Sequence, residues 1–313
     1  MIIGLTHVGL TVAQMDHSLE YYQRILDCRI LNDSERKGDW IDKITGIPGF
    51  HTRTVYLTVS SYKHLEFFQF YNPKALLPDK EVDFRVGIRY CAFMKKDIRS
   101  LPKLQEVSKK QASFEQMGGF EEGVYQKHQM IPIQDPDGLS LQIIGLENEE
   151  TRNPEASDTK FLYPALIVKN IESSLMFYQG ILGLEIAYQG DSPTERETVT
   201  QGEFRRQSRW VVLKGQTGPC LKLVEPRDVN IQPARPWQME RVGFTHVAFS
   251  VRNLEEYYLE LTERRVSFKS LPQSVTAGPH KGGKVVYLST PDGITLEFID
   301  SPLSRESLSG SKQ

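Results

Sequence analysis

The chain has 313 residues and a net charge of −2, with seven histidines counted as neutral. Hydrophobic residues make up 39% of the composition and charged residues 25%, which is typical of a globular protein with a sizeable core. This charge balance gives no electrostatic support to a nucleic-acid partner or an anionic membrane, and no apolar run reaches membrane-spanning length. The three cysteines are far apart and no export signal is visible, so we expect a cytoplasmic protein without disulfides.

The first element is a strand that the chain nearly copies later. Residues 4–12 (GLTHVGLTV) match residues 243–251 (GFTHVAFSV), and the two copies carry His7 and His246. Of the seven histidines, these two alone occupy equivalent positions in a repeat. Internal similarity of this kind indicates a protein built from repeated modules.

Three further matches extend the repeat along the chain. Apolar residues at helical spacing in 18–26 recur in 174–182, an offset of 174 − 18 = 156 residues. An apolar run with one glutamate occurs at 65–68 (LEFF, Glu66) and at 296–299 (LEFI, Glu297). The two Pro-Asp-Gly turns, which also match in the residues that follow them, predict β-hairpins.

Together these fragments predict four modules, each with the order strand, helix, strand, strand, strand. The modules cover 1–72, 83–148, 160–226 and 241–300. The first two form an N-terminal half (1–148), and the last two form a C-terminal half (160–300). We interpret the polar segment 149–159 as the linker between the halves and the Ser-rich segment 301–313 as a flexible tail.

A long insertion interrupts module one between residues 34 and 51 and carries Trp40. Two interpretations are open: a cover over a pocket, or a surface excursion packed by one tryptophan. His64 shares strand parity with Glu66, but its place at the start of the strand favours an exposed side chain.

The equivalent histidines and glutamates make a divalent-metal site the leading hypothesis. A glutamate flanked by Leu and Phe is costly to bury unless it is paired or bound to a metal, and here two occur at equivalent positions. The alternative is that His7–Glu66 and His246–Glu297 are buried hydrogen-bonded pairs without a metal.

The repeated module, the Thr-His-Val opening strand and the Pro-Asp-Gly hairpin ending in Glu297 resemble the vicinal oxygen chelate superfamily. That superfamily includes glyoxalase I, methylmalonyl-CoA epimerase, fosfomycin-resistance proteins and extradiol dioxygenases, and the resemblance covers roughly residues 2–300. It implies an α+β fold in which four βαβββ modules pair into two incompletely closed eight-stranded β cups.

In such proteins the metal ligands come from the first and last strands of each module. Carried over to this chain, the resemblance implies His7 and Glu66 in module one, and His246 and Glu297 in module four. The corresponding residues in modules two and three are Tyr90, Gln142, Tyr163 and Lys222. A protonated lysine cannot donate an electron pair to a metal. We therefore predict that module one pairs with module four around a metal, and module two with module three without one, either within one chain or across a homodimer.

Two imidazoles and two carboxylates suit one divalent ion, either Ni, Co, Zn, Mn or Fe(II), and leave two octahedral positions open. The predicted function is proton abstraction beside a metal-chelated carbonyl or hydroxyl, by an isomerase, an epimerase or a glyoxalase-type lyase. Glu66 and Glu297 are the expected acid–base pair. The expected partner is a small molecule: a hydroxy-ketone, a sugar-like compound or a thioester.

Two other functions are open. An Fe(II) ring-cleaving dioxygenase would use His7, His246 and Glu297, but the fourth ligand Glu66 disfavours it. A small-molecule binding or resistance protein without catalysis is the third. In all three cases, the candidate residues for contact with the small molecule are Trp40, Phe68, Phe70, His280 and Lys284.

Overall fold

The computed structural model describes residues 1–60, 62–78, 84–96, 129–145, 159–199 and 202–303. The helix predicted in module two, most of the linker 149–159 and most of the tail 301–313 lie outside these residues. The boundaries of the two halves therefore stay a prediction.

Module one contains all the elements predicted for it and one more. Its strands are β1 (Ile2–Thr11), β2 (Arg29–Lys37), β3 (His51–Ser60) and β4 (Lys63–Asn72), and its helices are α1 (Met15–Leu26) and α2 (Asp39–Thr45). Helix α1 buries the apolar side of an amphipathic sequence and ends where Asp27 adopts a left-handed conformation. Helix α2 lies within the insertion between β2 and β3.

The later modules contribute the remaining described elements. Module two contributes β5 (Gly87–Lys95), β6 (Gln129–Gln134) and β7 (Ser140–Gly145). Module three contributes β8 (Thr159–Ile167), α3 (Ile171–Tyr178), β9 (Glu185–Val199), β10 (Gly202–Gly215) and β11 (Gly218–Pro226). Module four contributes β12 (Gly243–Val251), α4 (Leu254–Glu263), β13 (Ser267–Phe268), β14 (Gln273–Ser274), β15 (Lys284–Ser289) and β16 (Thr295–Asp300).

The strands form two open sheets, and each sheet joins modules from both halves of the chain. The first has the order β13-β15-β16-β12-β1-β4-β3-β2, with β14 paired to β15, and the second has the order β6-β7-β5-β8-β11-β10-β9. Strand β1 pairs with β12, and β5 pairs with β8. The predicted pairing of module one with four, and of two with three, is therefore confirmed, and it occurs within one chain.

Apolar side chains separate into three clusters. The largest joins both sheets to the inner faces of the helices and includes Tyr22, Phe93, Phe177 and Phe249. A second lines the hollow face of the first sheet, and a third lines that of the second sheet. The two cups therefore share one core and have separate interiors, which positions a site inside each cup rather than between them.

The second cup holds the residues that replace the metal ligands there. Tyr90, Tyr163 and Lys222 are buried, Gln142 is half-buried, and the Lys222 ammonium lies 5.2 Å from the centre of the Trp210 ring. Its interior is dominated by aromatic and aliphatic side chains. Among the described residues, no helix has the length and apolar composition needed to cross a membrane.

Candidate metal centre

Four neighbouring strands bring His7, Glu66, His246 and Glu297 to one point of the first cup. In the order β4-β1-β12-β16, Gly9 is the register partner of both Glu66 and His246. Ala248 is likewise the register partner of both His7 and Glu297. The two modules thus contribute equivalent pairs of side chains across the β1–β12 seam, with a small residue beside each pair.

The four side chains converge through one atom each. His7 Nε2 lies 3.0 Å from Glu66 Oε2, 2.9 Å from Glu297 Oε2 and 3.2 Å from His246 Nε2. His246 Nε2 lies 3.1 Å from Glu297 Oε2 and 3.6 Å from Glu66 Oε2. Both imidazoles are fully buried, and the two carboxylates are 7% and 6% exposed.

These spacings fit a divalent ion. Ligand atoms on adjacent corners of an octahedron lie about 3.0 Å apart when each is about 2.1 Å from the ion. Although Glu297 Oε2 lies close to His7 Nε2, it has no hydrogen-bond partner of good geometry among the described residues. The four ligand atoms all lie within 4.8 Å of one another, so a single ion could reach all of them. The set of two nitrogens and two anionic oxygens suits a borderline or hard divalent cation.

The electrostatics of the cluster depend on the same contacts. Burial disfavours a charged imidazole at His7, but the Glu66 and Glu297 carboxylates outweigh burial and raise its pKa to about 9. Burial likewise opposes ionisation of Glu297, yet the two histidines lower its pKa to about 2 and lower the pKa of Glu66 as well. Protons on the histidines balance the carboxylates, and a divalent ion would displace those protons.

A hydroxyl group orients one of the two imidazoles. His246 Nδ1 lies 2.9 Å from Thr245 Oγ1. When Nδ1–H donates to this hydroxyl, Nε2 keeps its lone pair and faces the centre. His7 Nδ1 has no hydrogen-bond partner among the described residues, so the two histidines are held differently.

Sequence reasoning missed two tyrosines beside the cluster. Tyr56 is the register partner of Glu66 and Tyr287 that of Glu297. Burial, followed by the negative charges of the two carboxylates, raises the pKa of both phenols well above the usual value and keeps them protonated. A hydrogen bond from each phenol to its neighbouring carboxylate adds to this shift. A signal was present in the sequence, because VYLT at 55–58 and VYLS at 286–289 nearly match, and the tyrosine of each lies ten residues before its glutamate.

The cup interior contains a cavity of about 50 Å³ against this cluster. Glu66 and Glu297 line it, together with the predicted contact residues Trp40, Phe68 and His280. Helix α2 therefore covers the cup. Of the two interpretations of the insertion, a cover over a pocket is the one that agrees with this position.

The other predicted residues lie in different surroundings. Phe70 is buried in the apolar cluster of the cup, against Phe50. Lys284 forms an ion pair with Glu255 of α4 and does not line the cavity. The expectation of an exposed His64 is wrong. This imidazole is 3% exposed, and burial, followed by the nearby His280 and His7, lowers its pKa to about 3.

A third residue that sequence reasoning missed is Arg36 of β2. Its side chain lines the cavity and is 5% exposed. The loop that bears Gly278 covers it, and this loop follows Arg36 by more than 240 residues in the chain. No local pattern in the sequence signals this contact.

The comparisons with known proteins agree with the fold. Residues 160–298 match the model of the Glyoxalase/Bleomycin resistance protein/Dioxygenase superfamily. No curated protein matches the sequence. Residues 160–298 therefore resemble this superfamily, also called the vicinal oxygen chelate superfamily, and the fold of the whole chain is of the same type.

Solved structures extend the likeness to the full chain. Glyoxalase I from Zea mays is 17% identical with a TM-score of 0.61, and the match covers 99% of this chain and 96% of that one. A mutant of the same enzyme has a TM-score of 0.62 at 17% identity, covering 97% and 95%. A putative dioxygenase from Bacillus subtilis subsp. subtilis str. 168 is 13% identical with a TM-score of 0.58, covering 100% and 91%. At these identities the likeness shows the fold and not the reaction.

Proposed function

We propose that the protein is a divalent-metal-dependent enzyme that moves a proton at a carbon next to a chelated carbonyl or hydroxyl. Its reaction would be that of an isomerase, an epimerase or a glyoxalase-type lyase on a small hydroxy-ketone, sugar-like or thioester substrate. The observation that carries this proposal is the convergence of two imidazole nitrogens and two carboxylate oxygens, at 2.9–3.6 Å, around one buried point.

The ion would be held by His7, His246, Glu66 and Glu297. When bound, such an ion acts as a Lewis acid that stabilises negative charge developing on a substrate oxygen. The imidazoles supply neutral nitrogen ligands, and Thr245 fixes the tautomer of one of them. The surrounding apolar residues would limit the access of water to the cup, and a drier interior strengthens the electrostatic interactions within it.

The two glutamates are the proposed acid and base. They lie on β4 and β16, which flank the histidine strands on opposite sides. A substrate held between them would therefore present one face to each carboxylate. One carboxylate can remove a proton from carbon while the other returns one. The Tyr56 and Tyr287 phenols, which remain protonated, would position these carboxylates.

Elemental analysis and proton exchange test this function on one preparation. We expect about one divalent ion per chain and uptake of solvent deuterium into candidate hydroxy-ketones. Glu66→Gln and Glu297→Gln should each abolish exchange while partly retaining the metal, and Glu35→Gln, on an exposed side chain, should change neither. Exchange at the normal rate in both site variants would refute the proposal.

The ring-cleaving dioxygenase is the second candidate, because His7, His246 and Glu297 also form a two-histidine, one-carboxylate set. Glu66 disfavours it, because its oxygen lies as close to His7 as that of Glu297 does and would occupy a position that dioxygen needs. Oxygen uptake with catechols after Fe(II) loading would favour this candidate. Protein that binds a small molecule but takes up no metal would favour the binding protein.

A further inference from the structure

Arg36 is a buried charge on an otherwise exposed strand. Of the nine residues of β2, it is the one that is buried, while its neighbours Glu35 and Lys37 are exposed. A guanidinium is costly to remove from water unless it gains a charged partner and hydrogen bonds. Its position therefore requires an explanation.

No described residue supplies that partner. Arg36 forms no ion pair with any carboxylate of the described residues, and its buried Nη1 has no hydrogen-bond partner among them. By contrast, Arg53 on the neighbouring strand β3 binds both Asp16 and Asp33. Arg36 thus points an unused N–H group into the interior.

The loop above the cup allows the Arg36 guanidinium to approach the backbone of Gly278 closely. Gly278 has a φ of +79°, and a Cβ atom there would lie 1.6 Å from Arg36 Nη2. Only a glycine allows both this backbone conformation and this approach. The Arg36 charge acts on Tyr56 and on His280, where it helps to lower the imidazole pKa to about 4, after the larger effects of burial and His7.

A second unused polar atom lines the same cavity. His280 Nδ1 lies 2.9 Å from Ser301 Oγ, and its buried Nε2 has no hydrogen-bond partner. When the serine hydroxyl donates to Nδ1, Nε2–H becomes a donor. The cavity beside the metal centre is thus lined by two residues, Arg36 and His280, that each have a free donor for an oxygen ligand.

The charges of the cup indicate what this ligand is. The two carboxylates balance a divalent ion, and the two histidine ligands are neutral. Arg36 then leaves one positive charge without compensation inside the cup. We propose that the substrate carries a carboxylate next to its chelating oxygens, and that Arg36 is the residue that binds it. A monoanion satisfies this balance, and a small planar carboxylate suits both a guanidinium fork and a cavity of about 50 Å³.

Three hydroxamates test this assignment by titration calorimetry on the metal-loaded protein. Acetohydroxamate chelates a metal without a further charge, N-hydroxysuccinamate adds a carboxylate, and phosphonoacetohydroxamate adds a phosphonate. We expect the carboxylated compound to bind about tenfold or more tightly than acetohydroxamate, as a charged hydrogen bond would give. Equal affinities, or tightest binding of the phosphonate, would overturn the carboxylate assignment.

Variants at Arg36 separate recognition from structure. Arg36→Met should abolish the preference for the carboxylated compound and leave the metal content and acetohydroxamate affinity unchanged. Its melting temperature without ligand should equal or exceed that of the wild type, because a buried unpaired cation is removed. Arg36→Lys should keep part of the preference, and Lys37→Gln, next to it on β2, should keep all of it. A preference that survives in Arg36→Met, or a fold that is lost in it, would contradict the assignment.

This inference rests on the proposed metal site. The experiment distinguishes a failure of the metal site from a failure of the Arg36 assignment. Protein that takes up no metal and binds none of the hydroxamates would refute both. Protein that binds metal and acetohydroxamate, but shows no effect of the carboxylate, would refute the role of Arg36 alone.

Discussion

Gly9 of β1 lies directly opposite His246 of β12, and a Cβ atom at Gly9 would lie 2.2 Å from Cε1 of that imidazole. The same atom would lie 2.6 Å from Thr245 Oγ1, which holds His246 Nδ1. The equivalent position in module four is Ala248, which lies opposite His7. The seam therefore tolerates a methyl group on one side of the metal centre and not on the other.

Gly9→Ala should weaken the metal site by displacing His246. We expect metal affinity to fall by about 10- to 100-fold, as when groups that orient a ligand are lost. Competition with a chromogenic chelator measures this affinity. Ala248→Gly is the matched control, which should keep the metal and cost about 0.5–1 kcal/mol of stability as glycine in a strand. Unchanged affinity in Gly9→Ala would show that His246 is not held by this contact.

Tyr56→Phe and Tyr287→Phe should have similar effects, because the two phenols bind equivalent carboxylates. Each variant loses a hydrogen bond to a proposed metal ligand, so metal affinity should fall by about 10- to 100-fold. The fold should persist, because the aromatic ring remains. Circular dichroism together with metal titration checks both expectations, and a large effect of one substitution alone would contradict the equivalence of the two modules.

Trp40→Ala should open the cover that α2 forms over the cup. Trp40 lines the cavity and packs against its apolar cluster. Its loss should speed dissociation of acetohydroxamate, measured by stopped flow, without changing the metal content. Trp210→Phe, in the second cup, is the control. Slower dissociation, or loss of the metal, would show that Trp40 acts other than as a cover.

Asp135 should make stability depend on pH. Its carboxyl is buried, and burial outweighs its hydrogen bonds with Leu139, Tyr22 and Asp137 to raise its pKa to about 7. The folded protein thus holds a proton that the unfolded chain releases near pH 4. The free energy of unfolding should therefore fall as the pH rises from about 4 to 7, by about 1.4 kcal/mol for each unit of pKa shift.

Asp135→Asn should remove this contribution. Urea unfolding at pH 5 and pH 8 should show that the variant gains stability relative to the wild type at the higher pH. Asp16→Asn, whose side chain is 83% exposed, should show no such difference. If the stability of Asp135→Asn relative to the wild type did not change between the two pH values, the carboxyl would not be protonated in the folded state at pH 5.

The sequence predicted the features that repetition makes visible. The copies around His7 and His246, and around Glu66 and Glu297, determine both the modules and their pairing, because only the first and fourth modules contain suitable ligands. A comparison of the repeated segments could also have identified the tyrosines, since Tyr56 and Tyr287 lie in matching segments. A search for repeats restricted to metal-binding residue types passes over them.

Other features had no local signal. Arg36 lies in a polar stretch that is typical of an exposed strand, and its burial results from a loop in module four. Lys284 has the right charge for a ligand contact, but the start of β15 places it beside Glu255 of α4. His64 is buried although it begins a strand. In each case a contact between distant segments outweighs the local pattern.

The seam between β1 and β12 also determines when the centre can exist. His7 and His246 are 239 residues apart in the chain, so a ribosome must synthesise the whole intervening segment before the two imidazoles can meet. During synthesis the hydrogen-bonding edge of β1 has no native partner strand from module four. Contacts of such long range also slow folding, so a chaperone that shields the edge of β1 would protect the chain until module four is available.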